Sequence, residues 1–468
     1  MDTSTGELRR EVGLPGAIFM GLGSIVGTGL FVSLGIAAGV AGYGILLALP
    51  LAALLALFNG LSSAQLAAAH PVSGGTYEYG YRFLSPGLGF SAGWMFLLAK
   101  GASAATAALG LAGALLLLLH GLGGQGAGSL AEGFGGLGDG WMSPATRIAL
   151  AGGAVILLTL LVAGGIRRSN RVNLAVVGAT LAILGVFLAV GLPRALPALA
   201  QWLEGGGVGP LDGMSGPMPG DGAVPGSDGG SGWGLAPFLH ATALLFVAYT
   251  GYGRIATLGE EVKAPRQTIP RAIWVTLAVV ACLYLGVAAV ALGVLGAEGF
   301  ARATAETAAP LQVVAQAMDR PLLPLLLGVA ALTAMTGVLL NLLLGLSRVA
   351  LAMGRRGDLP SGLAGIHSPT GSPRAAVAAV GGVVLLLALL GDVRATWSFS
   401  AFSVLIYYGI TNLAALRLPP EHRLYPRWVP LAGLAGCLLL AFQVEPVYWL
   451  VGSGLLAGGW IVRWGLRR

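Results

Sequence analysis

Apolar residues along the chain gather into long blocks, many of them near the ~20 residues that a helix needs to cross a bilayer. The blocks are separated by short basic stretches and by two glycine-rich ones. Twelve spanning helices are predicted. Spans 1 and 2 cover residues 14–40 and 44–69. Spans 3, 4 and 5 cover 87–119, 145–165 and 172–192. Spans 6, 7 and 8 cover 237–261, 269–295 and 321–353. Spans 9 to 12 cover 375–390, 396–416, 429–442 and 447–463, with span 11 short for a crossing.

Composition agrees with the pattern. Only 10% of the 468 residues are charged and 56% are hydrophobic, where a soluble protein carries about 25% charge. Mean hydropathy is +0.83. The expectation is an all-α, multi-pass membrane protein. A cleavable signal peptide is not expected, because Glu7 and Glu11 precede a first apolar run too long for a signal core. Cys282 and Cys437 fall inside spans and read as small core residues without a disulfide framework.

The net charge of +7 and pI near 9.7 invite a nucleic-acid reading, but the placement of charge explains them better. With the N-terminus inside, Arg9, Arg10, Arg82, Arg167, Arg168, Arg171, Lys263, Arg266, Arg271, Arg348, Arg355, Arg356 and the C-terminal arginines all fall on the cytoplasmic side. Only Arg147, Arg194, Arg302, Arg320 and Arg394 fall outside. The positive-inside rule then sets both termini in the cytoplasm of a cell whose inner membrane holds the chain. No nucleic-acid partner is implied; the lipid bilayer is the expected surrounding. The outside loops 121–144 and 193–236 are too glycine-rich to bury a core and read as flexible covers or tethers.

Two spans are interrupted. Gly21, Gly23, Gly27 and Gly29 fall within nine residues at the stretch GSIVGTGLF, Gly23 to Phe31, in span 1, and Gly251, Gly253 and Gly259 lie in FVAYTGYGRIATLGEE of span 6. Each glycine costs roughly 1 kcal/mol in a helix interior relative to alanine. Unwound backbone survives at membrane depth only where it is buried in protein or lines a cavity. Close helix packing through small residues explains one such segment equally well. Two in corresponding positions of the two halves point to a solute site at broken helices.

These stretches resemble the helix 1 and helix 6 signatures of the amino acid–polyamine–organocation (APC) superfamily. EEVKAPRQTIP resembles its helix 6–7 loop, and HPVSGGTYEYGYRFLSP its first cytoplasmic loop. GIRRSNRVN resembles its helix 4–5 loop, and SRVALAMGRRGDLP the end of its helix 8. The similarity covers residues 14–418 and lies nearest bacterial permeases related to cationic and neutral amino acid transporters. It implies a LeuT-type 5+5 inverted-repeat fold with 12 transmembrane helices, helices 1 and 6 broken. Residues 1–13 would be an N-terminal segment, 14–192 the first repeat and 193–236 an outside loop. Residues 237–416 would be the second repeat, and 417–468 two appended helices and the C-terminus.

The resemblance also implies a site. The carboxylate of an amino acid would meet the amides of Thr28 and Gly29, with Gly27 allowing approach; a helix N-terminus suits an anion. The ammonium would meet the carbonyls of Ile25 and Val26 and those of Phe246, Ala248 and Tyr249. Gly251 would let helix 6 unwind. Phe246 and Tyr252 are candidates for the side-chain pocket and outer gate, although buried tyrosines also pack without any such role.

The departures from the family matter. Many relatives carry a helix 5 lysine that replaces a sodium ion, and here that position is Thr180. Either a cation binds near Thr180, Thr333 or Thr336, or Lys100 or Arg254 supplies the charge, or coupling is absent. Coupling to Na+ or H+ stays open, with no other cofactor expected and no metal site assigned. An ionisable group at membrane depth is functional by default. Lysine loses its proton more readily than arginine, so Lys100 suits a proton-linked switch and Arg254 a permanent charge. Snorkelling of Lys100 and a gate salt bridge from Arg254 to Glu78, Glu260 or Glu261 are the structural alternatives.

No acidic residue falls inside a span core. A cationic substrate would therefore lack a partner, which favours a neutral amino acid. An acidic amino acid, a cationic one, an exchanger and a transport-inactive sensor are the alternatives. A membrane enzyme is disfavoured, since the histidines scatter to helix ends and no H-E-x-x-H occurs. The expected mechanism is alternating access, with helices 1, 2, 6 and 7 rocking against helices 3, 4, 8 and 9. Oligomeric state is left open.

Overall fold

The computed structural model describes residues 12–70, 75–123, 143–165, 170–204, 234–256, 262–367 and 372–468. Among these the chain is helical throughout, and its only bridges are two isolated β-pairs. In order, α1 is Leu14–Ile25, a π-helical turn follows at Gly29–Ser33, α2 is Leu34–Ala41 and α3 is Ile45–Ala69. Then come α4, Thr76–Phe83; α5, Pro86–Gly123; α6, Pro144–Ala163; and α7, Asn170–Glu204. The second half holds α8, Leu235–Tyr249; α9, Gly253–Ala256; α10, Pro265–Thr307; α11, Pro310–Gln316; and α12, Leu322–Arg355. It closes with α13, Arg374–Ala388; α14, Val393–Leu416; α15, Trp428–Ala441; and α16, Pro446–Leu466.

Within the described residues every predicted span falls on helix; residues 257–261, the end of span 6 with Gly259, Glu260 and Glu261, lie outside them. By length and apolarity, eight helices of the described residues qualify to cross a membrane, or nine if α15 and α16, bent by 113° to one another, make one span. That count joins α2 to α3. The chain breaks between them at Gly42, whose φ of 55° and ψ of −133° glycine adopts without strain. Gly296, at φ 69° and ψ 171°, likewise splits α10 into limbs 265–295 and 297–307.

Three expectations change. The loop predicted from residue 193 begins as helix, because α7 runs on to Glu204 through Pro193 and Pro197. Ala195 there packs so close to Gly293 that a Cβ on the glycine would lie 2.5 Å from the Ala195 Cα. The second limb of α10 and α11 are further helices that the apolar blocks did not announce. The limb packs over α2, where Thr304 faces Gly35 and Ala301 faces Gly39, and α11 packs on α12 and the π-helical turn. The loop before span 3 contains α4, which packs on α5. The rest of both glycine-rich outside loops lies outside the described residues.

The core lies where α5, α12 and α14 meet. α5 and α14 are buried along most of their length, whereas α6 and α7 present leucines such as Leu157, Leu160 and Leu174 outward. Apolar side chains facing lipid carry no cost of exposure, so these helices form the rim. α8 is buried continuously from His240 to Tyr249, with α3, α2 and α14 packed around it.

Candidate functional site

The two interrupted helices cross at their breaks. α1 ends at Ile25; Val26 is extended at φ −75° and ψ 91°, and helix resumes at Thr28. The amides of Leu30 and Phe31 both go to the Gly27 carbonyl, at 3.0 and 2.9 Å. The amides just before them belong to a helix first turn, which has no intrahelical acceptor. α8 does not open as widely as expected. It tightens into a 3-10 turn, Thr250–Tyr252, before the four residues of α9.

The glycines at the crossing are required by space. A Cβ on Gly251 would stand 2.5 Å from the Ser24 carbonyl oxygen, and one on Gly27 would stand 2.5 Å from Val338 Cγ2 of α12. One on Gly29 would press on Ala248 and on the hydroxyl of Tyr284. Tyr284, fully buried on α10, donates at 2.9 Å to the carbonyl of Ile25 and at 3.2 Å to that of Ala248. One phenol therefore ties both breaks together, using two of the carbonyls expected to hold an ammonium. Its sequence position, within an apolar span, gave no sign of this.

Beside the crossing lies a cavity of about 600 Å³. Its deep end is formed by Ser24, Ile25, Thr28, Gly29, Ala248, Thr250 and Gly251. Lys100 and Ser103 of α5 line it, as do Val338 and Asn341 of α12 and Trp397, Tyr407 and Tyr408 of α14. From there it extends to Arg348, Arg355 and Arg356 at the basic end of the bundle. The hydroxyl of Thr28, a residue 4% exposed, has no protein partner. Lys100 Nζ donates to Thr250 Oγ1 at 2.7 Å, and that hydroxyl donates in turn to the Val247 carbonyl at 2.7 Å. Tyr408 donates to the Thr250 carbonyl at 3.3 Å, and the Trp397 indole to the Leu244 carbonyl at 3.0 Å. Hydroxyl pairs Ser103–Ser400 and Thr106–Thr396, both at 2.8 Å, lock α5 to α14.

Ile25, Thr28, Gly29, Ala248, Gly251, Lys100 and Arg254 thus share one cavity, while Val26 and Gly27 sit at the break behind it. The aromatic side chains expected there do not. Phe246, Tyr249 and Tyr252 are fully buried and absent from the cavity wall. The Phe246 ring meets Tyr408 edge-on, the Tyr249 hydroxyl reaches the Leu49 carbonyl of α3 at 3.3 Å, and Tyr252 lies against Tyr408. α14 supplies the wall in their place. Because α8 is apolar and enclosed on every side, its sequence carried no stripe to say which face meets the cavity.

The cation candidates separate in the same way. Thr180 lines a void of about 10 Å³ with Gly23, Val26, Val176, Val177 and Ala334. Its hydroxyl donates to Val176 at 2.9 Å. α12 presents Ala334 and Val338 to the break, not hydroxyls. Thr333 is exposed on another face with its hydroxyl spent on the carbonyls of Val329 and Ala330, and Thr336 lines neither cavity. The void is roughly one water in size, and its lining offers a hard cation a single side-chain oxygen.

At the basic end, the carboxylate of Asp358, fully buried, accepts from Arg463 Nε at 2.8 Å, Arg467 at 3.0 Å, Tyr77 at 2.9 Å and Tyr81. This node binds α4, the turn after α12 and α16 together. Burial first, and the Asp358 charge after it, hold the phenols of Tyr77 and Tyr81 above their ordinary range, so both remain donors. Arg356 pairs with Glu78 at 2.5 Å beside it, so the one carboxylate among the described residues of the cavity wall is already matched.

Comparison with known proteins agrees with this architecture. The family model described as amino acid permease matches residues 16–452. An uncharacterised transporter of Mycobacterium tuberculosis is 38% identical over 99% of this chain and 92% of its own length. The branched-chain amino acid permease BcaP of Bacillus subtilis is 29% identical over 82% of this chain and 75% of its own. The methylthioribose transporter of the same organism is 27% identical over 92% and 87%. With a membrane-embedded helical bundle, a cavity at two crossed helix breaks and a family match spanning nearly its whole length, the chain belongs to the amino acid permease family, whose members are transporters and not enzymes.

Proposed function

We propose that this protein moves neutral amino acids across the cytoplasmic membrane by alternating access, with both termini in the cytoplasm. The observation that carries the substrate class is the wall of the cavity. Among the described residues it holds Lys100, Arg254, Arg348, Arg355 and Arg356, and one carboxylate, Glu78, which Arg356 already binds. A cationic side chain would enter this cavity without a counter-charge, at a cost of several kcal/mol. Val247, Val338, Leu342, Trp397 and Tyr408 offer an apolar lodging for a side chain of moderate size. The relative named as a branched-chain permease favours the same class.

With the basic end inside, the described conformation has its cavity on the cytoplasmic side, and the α10 limb and α11 cover the other end. The two halves, residues 14–192 and 237–416, act as inverted repeats, and the breaks at Gly27 and Gly251 are the hinges. Sodium is not required, because the α12 face at the break carries alanine and valine, and the protein's own cation, Lys100, stands in the site.

The test is uptake of labelled amino acids into proteoliposomes under a sodium gradient, under a proton gradient, or against internal substrate. Leucine-class uptake without sodium is the expected result. Uptake restricted to arginine and lysine would overturn the substrate class. No uptake of any amino acid by folded protein would overturn the transport reading, and binding without movement would favour a sensor.

A further inference from the structure

We propose that Lys100 is itself a substrate ligand, its ammonium receiving the carboxylate of the transported amino acid beside the helix start at Thr28. The inference rests on the transport reading above and adds a residue outside the two broken helices.

The geometry is directional. Thr250 gives its hydroxyl proton to the Val247 carbonyl, so toward Lys100 its oxygen can only accept. Lys100 spends one N–H on it and has further donor capacity on a residue that lines the cavity. Its neighbours on α5 are Ala99, Gly101, Ala102 and Ser103, and the Ser103 hydroxyl is engaged with Ser400. Among the described residues of the cavity wall the only carboxylate is that of Glu78, held by Arg356. The deep end therefore has a surplus of donors: the ammonium, the unpartnered Thr28 hydroxyl and the first-turn amides. An ammonium at membrane depth with one neutral partner is poorly compensated. The anion that completes it is the one part common to every amino acid.

The ligand chemistry follows. A carboxylate is required and an amide is not equivalent, because an amide brings no charge to the ammonium. A hydrogen bond between charged groups is worth roughly 1.5–3 kcal/mol, about ten- to a hundredfold in affinity.

The experiment compares leucine with leucinamide as competitors of labelled leucine uptake, using full-length protein in proteoliposomes, in wild type, Lys100→Met and Lys100→Arg. Wild type is expected to prefer leucine. Lys100→Met should shrink that preference about tenfold or more by weakening leucine while leucinamide changes little, and Lys100→Arg should recover part of it. If Lys100→Met transports too slowly to measure, the same preference is read from the shift in melting temperature that each ligand gives the detergent-purified protein. A preference retained in Lys100→Met overturns the inference and leaves the transport reading standing. A wild-type protein that neither takes up nor is stabilised by any amino acid overturns that reading first.

Discussion

Gly27 is where the glycine cluster of span 1 can be tested against a single neighbouring methyl. Its φ is not among the positive ones, so an L-residue fits the backbone there. What excludes a side chain is Val338: a Cβ on residue 27 would lie 2.5 Å from Val338 Cγ2, while the next atoms, Val338 Cβ and the Ala334 carbonyl oxygen, are at 3.5 and 3.8 Å. Ordinary contact begins near 3.4 Å, so Gly27→Ala pushes the α1 break away from α12 by about an ångström. Overpacking of this kind costs about 1–3 kcal/mol. The cost falls on the state in which the break lies against α12, so its population drops about five- to a hundredfold. Initial uptake rate should fall accordingly at matched reconstitution. Val338→Ala removes the offending methyl, and the double variant Gly27→Ala/Val338→Ala should regain most of the rate, giving a coupling energy of about 1–3 kcal/mol. A double variant as slow as Gly27→Ala alone would refute the steric account. Gly251→Ala supplies the contrast. Its Cβ would strike backbone, 2.5 Å from the Ser24 oxygen and 2.6 Å from the Ser24 carbonyl carbon, so no truncation of a neighbour should rescue it.

Two further outcomes follow from hydrogen bonds. Tyr284→Phe leaves the Ile25 and Ala248 carbonyls without their shared donor, at about 1–3 kcal/mol. The half-saturating amino acid concentration in uptake assays should rise about fivefold or more, and an unchanged value would deny Tyr284 a part in shaping the site. Arg463→Leu removes the Nε donor from the buried Asp358 carboxylate. Breaking a buried pair costs about 3–5 kcal/mol, so the melting temperature should drop by several degrees, with Arg463→Leu/Asp358→Leu more stable than Arg463→Leu. An unchanged melting temperature would show that Arg467 and the two phenols suffice.

Much of the fold was legible because membrane crossing imposes one constraint, a long apolar block, on each helix in turn. The glycines of the crossing were legible because they cost a helix interior stability, and Gly27 and Gly251 do stand where a neighbour leaves no room for a Cβ. What the blocks did not carry is which side chain faces which. Phe246 and Tyr252 were candidates for the side-chain pocket and outer gate, yet both rings lie against Tyr408 of α14. Trp397 and Tyr408 form the wall although nothing near them breaks a helix. Thr333 lies one position before Ala334 and Thr336 two after it, so neither shares the α12 face of Ala334 and Val338 that meets the α1 break. A register difference of a single residue on a helix is about 100° of rotation, and an apolar helix offers no polar stripe to settle it. The Asp358 node joins residues almost four hundred positions apart, a pairing that only the folded chain defines.

The attachment of α1 has a mechanical consequence. It is tied at two levels: the Val12 carbonyl accepts from the amide of Lys263, two residues before α10, at 2.9 Å, and the Ile25 carbonyl accepts from Tyr284 of α10. A half-helix tied at one end to the segment leading into α10 and at the other to α10 itself does not flap alone. It must swing as a two-helix panel, and the outer surface of that panel carries Trp274, Val275 and Val279 exposed toward lipid. Each turnover would then displace acyl chains as well as side chains. The bilayer becomes a mechanical load on the cycle, and its thickness and lateral pressure become determinants of the rate.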